Sequence, residues 1–300
     1  MLQDSELVEI LVALDGKPPA AVLDARAAGA FAAGHLRGAA SLPGVAETAG
    51  DPARLEAILP SIFLPPRHRP LLVMADTPAE AEVLARGLAA RGRTRVTALT
   101  MTTADLAALP PEFVERGAFH RPLWEAPRWL TSHEHLLPPP ALGPAVDLGC
   151  GSGRAAVWLA ERGWRVTAVD RQPEALTLAA RLAASRGVAL TACPADLRDL
   201  AALPAGPWAL VVNVRCLERA VLAGLHTMVM PGGVVVVRTF REAPGLAPDV
   251  QARHRLQPAE LARAFGGTGW DVIAHDEGFD DDGRPAAGII ARRRGVGSRR

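Results

Sequence analysis

A chain that places glycine at 149, 151 and 153, in the run Asp147-Leu148-Gly149-Cys150-Gly151-Ser152-Gly153, has to turn sharply there. The apolar stretch Val146–Leu148 before it reads as a strand, and 154–162 after it has helical spacing, so the glycines sit where a strand hands over to a helix. Alternate glycines free the backbone to take left-handed dihedrals and let a ligand approach it closely, while the helix that follows offers unpaired amides. This is the layout of a nucleotide-type pocket in an α/β fold. A dinucleotide fingerprint counted from Gly149 needs a third glycine at 154, and Arg154 stands there instead, which weakens a nicotinamide-cofactor reading.

The same alternation runs on through the second half. Val166–Val169, Leu190–Ala192, Leu210–Asn213 and Val234–Val237 read as strands, and Pro173–Ser185 and 218–229 as helices, with a turn at Pro231-Gly232-Gly233. Regular βαβ repetition predicts a doubly wound, Rossmann-like parallel sheet, and the unbroken valines at 234–237 suit a strand buried on both faces. The first half is also α/β, with strands at Ala21–Asp24, Leu71–Ala75 and Val96–Leu99 and an amphipathic helix over Pro78–Arg91. A length of 300 residues is about twice the usual domain size, so two cores are expected. Prolines punctuate 60–70 and 110–111, and Pro138–Pro140 precede a new strand. The expected organisation is a domain over 1–110, a linker and leading helix over 111–143, a second domain over 144–294, and a disordered basic tail over 295–300.

With Asp147 included, the glycine loop matches the Asp-x-Gly-x-Gly-x-Gly motif of class I methyltransferases that use S-adenosylmethionine, and 119–294 resembles that family. A second element is an acid ending the next strand, and Val166-Thr167-Ala168-Val169-Asp170 puts one there. A carboxylate at that point can accept both ribose hydroxyls. The third is Ala195-Asp196-Leu197 after the third strand. The resemblance implies S-adenosylmethionine as cofactor. It places Gly149, Gly151 and Gly153 along the methionine portion, Asp147 bracing the loop and the cofactor's amino group, Asp170 with its neighbour Arg171 at the ribose, Asp196 and Leu197 at the adenine, and Asn213 at the cleft floor. Taken singly, each element also has a purely structural reading: a glycine turn, an N-cap at Asp170, a loop cap at Asp196.

The stretches Trp208–Arg219, Met230–Gly233 and Arg238–Phe240, with Leu123–Leu130 upstream as a leading helix, resemble the tellurite-resistance-like small-molecule methyltransferases. That group is expected to carry an aromatic residue at Cys216 and a histidine at Glu218, so the chain departs from it on the acceptor side. Methyl transfer is an in-line displacement that proximity can catalyse, which leaves the catalytic residue unassigned. Candidate bases are His133, His135, Glu218 and His226, and Arg215 and Arg219 are candidates to hold an anionic acceptor, each with a solvated or capping role as the plainer reading. His133-x-His135 lacks a third ligand nearby and is a poor metal signal. Cys150 reads as packing.

In the first half, Val22-Leu23-Asp24-Ala25-Arg26 followed by Phe31-Ala32-Ala33-Gly34-His35-Leu36-Arg37-Gly38-Ala39 is similar to the opening of rhodanese-like domains, with Asp24, Arg26 and His35 read as structural. An active sulfurtransferase needs a cysteine after the next core strand. Ala75 stands there, followed by Asp76, and no cysteine precedes Cys150. The resemblance therefore implies a silent regulatory or scaffold domain.

Charge and cysteine usage set the remaining expectations. The net charge is +1, but 292–300 carries five arginines, so the rest of the chain sums to −4 and offers no basic face for nucleic acid. Three widely spaced cysteines without CxxC support neither a disulfide framework nor a zinc site, and no apolar run nears the roughly 18 residues of a membrane span. Met1–Gly16 lacks the pattern of a signal region. The expectation is a cytoplasmic enzyme that methylates a small-molecule acceptor, with no membrane and no obligate protein partner. The alternative is a non-enzymatic sensor or scaffold that binds S-adenosylmethionine or S-adenosylhomocysteine.

Overall fold

A computed structural model of the chain describes residues 4–15, 20–67, 69–118, 121–244, 250–267, 269–280 and 282–295. The chain forms two compact units, the first ending at Glu125 and the second beginning at Ala126. Of the expected basic tail, 296–300 lie outside the described residues.

In chain order the first unit comprises α1 (Asp4–Asp15), β1 (Ala21–Asp24), α2 (Ala28–Ala33), β2 (His35–Leu36), β3 (Ala40–Ser41), α3 (Pro52–Ile58), β4 (Leu71–Met74), α4 (Pro78–Ala90), β5 (Val96–Leu99), α5 (Thr103–Ala108) and β6 (Val114–Glu115). Its main sheet is parallel, in the order β3-β1-β4-β5. Successive strand residues face opposite ways, so β1 and β4 feed two cores at once. Leu23, Leu71 and Val73 pack with Leu55, Leu84 and Leu88 from α3 and α4. Val22, Leu72 and Met74 pack on the other face with Ile10, Leu14, Phe31 and Leu106. This two-sided burial is why the strands read as unbroken apolar runs.

Asp24 ends β1 fully buried and is held by Arg26 through Nε (3.0 Å to Oδ1) and Nη2 (2.7 Å to Oδ2); Arg26 Nη2 also donates to the Gly34 carbonyl at 2.8 Å. His35 stacks on Phe31 with ring centroids 3.7 Å apart and its Nδ1 bonds the Phe31 carbonyl at 2.9 Å. After β4, Ala75 is buried, Asp76 accepts from the Ala27 amide at 3.3 Å, and Thr77 and Glu80 form a reciprocal cap on α4. Of the stretch expected to be a linker and leading helix, 111–118 and 121–125 belong to this unit instead. Its β6 pairs with β2, the Arg37 amide donates to the Phe113 carbonyl at 2.8 Å, and Leu123 enters the core. Proline runs mark turns, and here the turn at Pro110-Pro111 leads back onto the same unit rather than out of it.

The second unit continues with α6 (Arg128–Ser132), β7 (Ala145–Leu148), α7 (Arg154–Ala160), β8 (Val166–Asp170), α8 (Pro173–Ser185), β9 (Thr191–Pro194), β10 (Trp208–Val214), α9 (Arg219–Met228), β11 (Val229–Phe240), α10 (Glu260–Phe265), β12 (Trp270–Phe279) and β13 (Pro285–Arg293). The sheet order is β12-β13-β11-β10-β7-β8-β9. Five strands are parallel, as expected, but β13 runs antiparallel between β11 and β12, so the all-parallel expectation is corrected at one edge. Pro231-Gly232-Gly233 also lies inside β11 rather than forming a separate turn: Gly232 takes φ +79° and the strand carries on. Val234–Val237 are fully buried, and each contributes about 1.5–3 kcal/mol of hydrophobic stabilisation.

The chain moves outward from β7 through β8 and β9, then returns to the other side of β7 with β10 and β11. The loop after β7 therefore faces the end of β10 across the point where strand order reverses, the place where open α/β sheets bind ligands.

Candidate functional site

The glycine loop takes its shape from all three glycines. Gly149, Gly151 and Gly153 have φ of +73°, +52° and +79°, which L side chains adopt only at a cost. Their surroundings differ. A Cβ on Gly149 would lie 2.5 Å from Cys216 Sγ, and one on Gly153 would lie 2.5 Å from Ala179 Cβ on α8. One on Gly151 would meet nothing within 4 Å. The outer two glycines thus serve close packing, and Gly151 alone opens onto free space.

Two carboxylates hold the loop. Asp170, at the end of β8, accepts from the Gly151 amide (2.9 Å) through one oxygen and from the Gln172 amide (3.0 Å) through the other. Asp147 is buried in β7 and accepts from the Ala156 amide in the first turn of α7 at 3.1 Å. Burial pushes the Asp147 carboxyl up to about 7, against the Ala156 hydrogen bond and with help from the Asp170 charge. A carboxyl whose folded-state pKa is raised gives stability that is full below the unfolded value and is lost as pH rises through the folded one. Thermal stability without ligand is expected to fall between about pH 4 and 7 and then level off. Asp147→Asn keeps an acceptor for Ala156 and should flatten that slope, gaining stability at pH 8; thermal unfolding of both proteins at pH 5 and pH 8 measures it. An identical slope in the variant would remove Asp147 as the source.

The loop opens onto a cleft of about 530 Å³ that runs from Asp170, Arg171 and Gln172, past Gly149 and Gly151, to Ala195–Arg198 on one side and Arg215–Arg219, Arg253 and His254 on the other. Of the residues expected at the site, Gly149, Gly151, Asp170, Arg171, Asp196 and Leu197 line this one cleft. Gly153 and Asp147 lie behind it and shape the loop. Asp196 is not free: Arg198 donates to it through Nε (3.0 Å to Oδ1) and Nη2 (2.5 Å to Oδ2), and this pairing holds its carboxyl well below the usual range. Asn213 is buried beside the loop, its Nδ2 donating to the Leu148 carbonyl at 2.7 Å while its Oδ1 has no partner. A buried amide oxygen left unpaired costs about 1–3 kcal/mol.

Other candidates sort clearly. His226 sits in the last turn of α9 against Trp270 and Gly269, near the amino-terminal edge of the parallel strands, so its candidacy as a base is corrected by the topology. His133 is tied to the Trp129 carbonyl at 2.8 Å and lines no part of the cleft; neither does His135. Among the described residues no group of His, Cys, Asp and Glu could hold a metal ion. Glu218 does line the cleft. Arg219 is committed to Glu260 at 2.8 and 2.9 Å and to the carbonyls of Arg253 and Arg255, and Arg215 to Asp280 and Asp282. Burial raises the thiols of Cys150, far above the usual range, and of Cys216, to about 11, so both stay protonated at neutral pH.

The sequence reading missed Arg198, Arg253 and His254. Arg198 had a local signal, since it stands two residues after Asp196. The other two belong to the irregular stretch 250–256, which carries no motif and reaches the cleft only through the fold.

Residues 145–233 match the family described as methyltransferase domain. The second unit thus carries a methyltransferase domain over these residues. The chain is 34% identical over 100 residues to a ubiquinone biosynthesis O-methyltransferase of Caulobacter sp. (strain K31), covering 32% of this chain and 40% of that protein. It is 28% identical over 158 residues to a 2-heptyl-1-hydroxyquinolin-4(1H)-one methyltransferase of Mycobacteroides abscessus, covering 47% of this chain and 68% of that one. A solved S-adenosylmethionine dependent methyltransferase from Mesorhizobium loti superposes with a TM-score of 0.43 at 21% identity, covering 54% of this chain and 96% of that chain. The chain thus spans about two fifths of the length of the first of these curated relatives.

Proposed function

We propose that this protein transfers a methyl group from S-adenosylmethionine to a hydroxyl of a small molecule, by in-line displacement in the cleft beside the glycine loop. The observation that carries this reading is Gly151, whose left-handed backbone faces open cleft while its amide is held by Asp170. The residues suit the cofactor in two further ways. Asn213 Oδ1 is a buried acceptor awaiting a donor, and the Asp170 carboxylate, with one bond to each oxygen, keeps lone pairs for two ribose hydroxyls.

When bound, S-adenosylmethionine supplies an electrophilic methyl on a sulfonium. The chain's own task is to hold and align. Gly149, Gly151 and Gly153 form the cradle for the methionine portion, and Asp147 braces the loop from behind. Asp170 and Arg171 take the ribose end, Asp196 and Leu197 the adenine, and Asn213 the floor. Proximity alone can supply roughly 7–11 kcal/mol of barrier reduction.

Within the family, the reading places the chain near the tellurite-resistance-like small-molecule group, with Cys216 and Glu218 as departures on the acceptor side. The names of the two curated relatives, an O-methyltransferase of ubiquinone biosynthesis and a methyltransferase of a hydroxyquinolinone, support a small oxygen acceptor. The first unit is proposed as a silent rhodanese-like scaffold; the alanine at 75, followed by an Asp76 that accepts from Ala27 and a Thr77 that caps the next helix, supports the silence. Among the described residues no helix is long and apolar enough to cross a membrane.

Incubation with S-adenosylmethionine and a panel of phenols and hydroxyquinolinones is expected to release S-adenosylhomocysteine with one of them, while thiosulfate and cyanide give no thiocyanate. Cofactor binding without turnover on any acceptor would move the assignment to a non-enzymatic sensor. Thiocyanate production would overturn the silent first unit.

A further inference from the structure

The cleft holds one imidazole among its described lining residues, His254, in a stretch that no motif marks. The segment 250–256 is fixed over the cleft by several independent ties. Arg219 donates to the carbonyls of Arg253 (2.9 Å) and Arg255 (3.0 Å) while paired with Glu260. Arg255 bonds the Val250 carbonyl at 2.6 Å and pairs with Glu242, and Leu256 is buried in the core and bridged to Arg241. Its two functional groups are therefore presented on a rigid support.

The contacts of His254 define its tautomer. Nδ1 faces the Leu217 carbonyl at 3.4 Å, which can only accept, so Nδ1 carries the proton. Nε2 lies 3.1 Å from Arg253 Nε, which can only donate, so Nε2 offers a lone pair. A cleft-lining imidazole whose Nε2 lone pair is held by a guanidinium that can turn to a new anion is the equipment for taking a proton from an acidic hydroxyl.

We infer that His254 and Arg253 activate the acceptor and that the acceptor is an acidic hydroxyl of the phenol or enol class; this rests on the methyltransferase reading above. The acceptor's O–H bond breaks, the proton goes to His254 Nε2, and the electron pair stays on oxygen, where the Arg253 N–H that now bonds Nε2 turns to pair with it. The oxygen then forms the new O–C bond, and the methyl's bond to sulfur breaks with its pair left on sulfur. Acidity selects this class of acceptor, since most of the arginines that line the cleft are already paired: Arg198 with Asp196, Arg219 with Glu260, and Arg215 with Asp280 and Asp282. A phenol, near pKa 10, is within reach of an imidazole helped by a guanidinium, and an aliphatic alcohol is not.

The test uses the full chain saturated with S-adenosylhomocysteine and 4-nitrophenol or 4-nitrocatechol as probe, below the probe's own pKa. The wild type is expected to turn the probe to its yellow phenolate without releasing a proton to the buffer, as read by calorimetry in two buffers of different ionisation enthalpy. His254→Gln and Arg253→Gln are expected to lose about tenfold or more of that phenolate signal while binding S-adenosylhomocysteine as tightly as the wild type, which also shows that they fold. Release of one proton per phenolate by the wild type, or an undiminished signal in His254→Gln, overturns the assignment of the proton to His254. A wild type that binds S-adenosylhomocysteine but leaves both probes colourless overturns the inference and leaves the methyltransferase reading standing. A wild type that does not bind S-adenosylhomocysteine overturns both.

Discussion

Asp170→Ala is expected to weaken S-adenosylmethionine binding by about two orders of magnitude, because a charge-assisted hydrogen bond contributes roughly 1.5–3 kcal/mol and the carboxylate is positioned to make two with a ribose. The same substitution removes the acceptor that fixes the Gly151 amide at 2.9 Å and the one that caps Gln172 at 3.0 Å, so the loop loses part of its preorganisation as well. Asp170→Asn separates the two contributions. An asparagine can still accept from Gly151 through its one carbonyl oxygen, but it cannot accept from two hydroxyls with full charge, and it should lose about tenfold. Calorimetric titration with S-adenosylmethionine and S-adenosylhomocysteine measures both variants, and thermal unfolding confirms that the half-exposed site tolerates them. Unchanged affinity in Asp170→Ala would mean that the carboxylate serves only the loop.

That dual use of Asp170 marks what a sequence can and cannot carry. Its place at the end of β8 follows from strand spacing and was legible, as were the bounds of β1, β5 and α8, each of which has a strong apolar period or a proline start. Its bond to Gly151 was not, because nineteen residues of helix and strand have to fold before the two meet. The hairpin of β12 and β13 escaped for a different reason. Trp270–Phe279 is an edge strand whose register shifts between Val272 and Ala274, so its residues do not keep one alternation from end to end. The cleft's acceptor side shows the limit most plainly. His226 stands on a well-patterned helix and looked available, yet the helix carries it to the far edge of the sheet. His254, in an arginine-rich stretch without period, is delivered to the cleft by Arg219 and the core anchor Leu256.

The glycines offer the second large effect, and they divide by what surrounds them. Gly153→Ala puts a methyl 2.5 Å from Ala179 Cβ and 2.9 Å from its Cα, at φ +79°, so α8 has to move away from the loop. Overpacking of that kind costs about 1–3 kcal/mol and the left-handed backbone about 1–2 more. The sum, about 2–5 kcal/mol, lowers the melting temperature of a unit this size by roughly 5–15 °C. Gly151→Ala carries the backbone term alone, since its Cβ meets nothing within 4 Å, and should melt within a few degrees of the wild type. Its methyl instead projects into the space assigned to the cofactor and should weaken S-adenosylhomocysteine binding by about tenfold or more. Thermal unfolding and calorimetric titration of the two variants give opposite orders: Gly153→Ala the larger loss of stability, Gly151→Ala the larger loss of affinity per degree of melting. If Gly151→Ala bound S-adenosylhomocysteine as tightly as the wild type, the open space over that glycine would not be the ligand's, and the cofactor would have to lie elsewhere along the cleft.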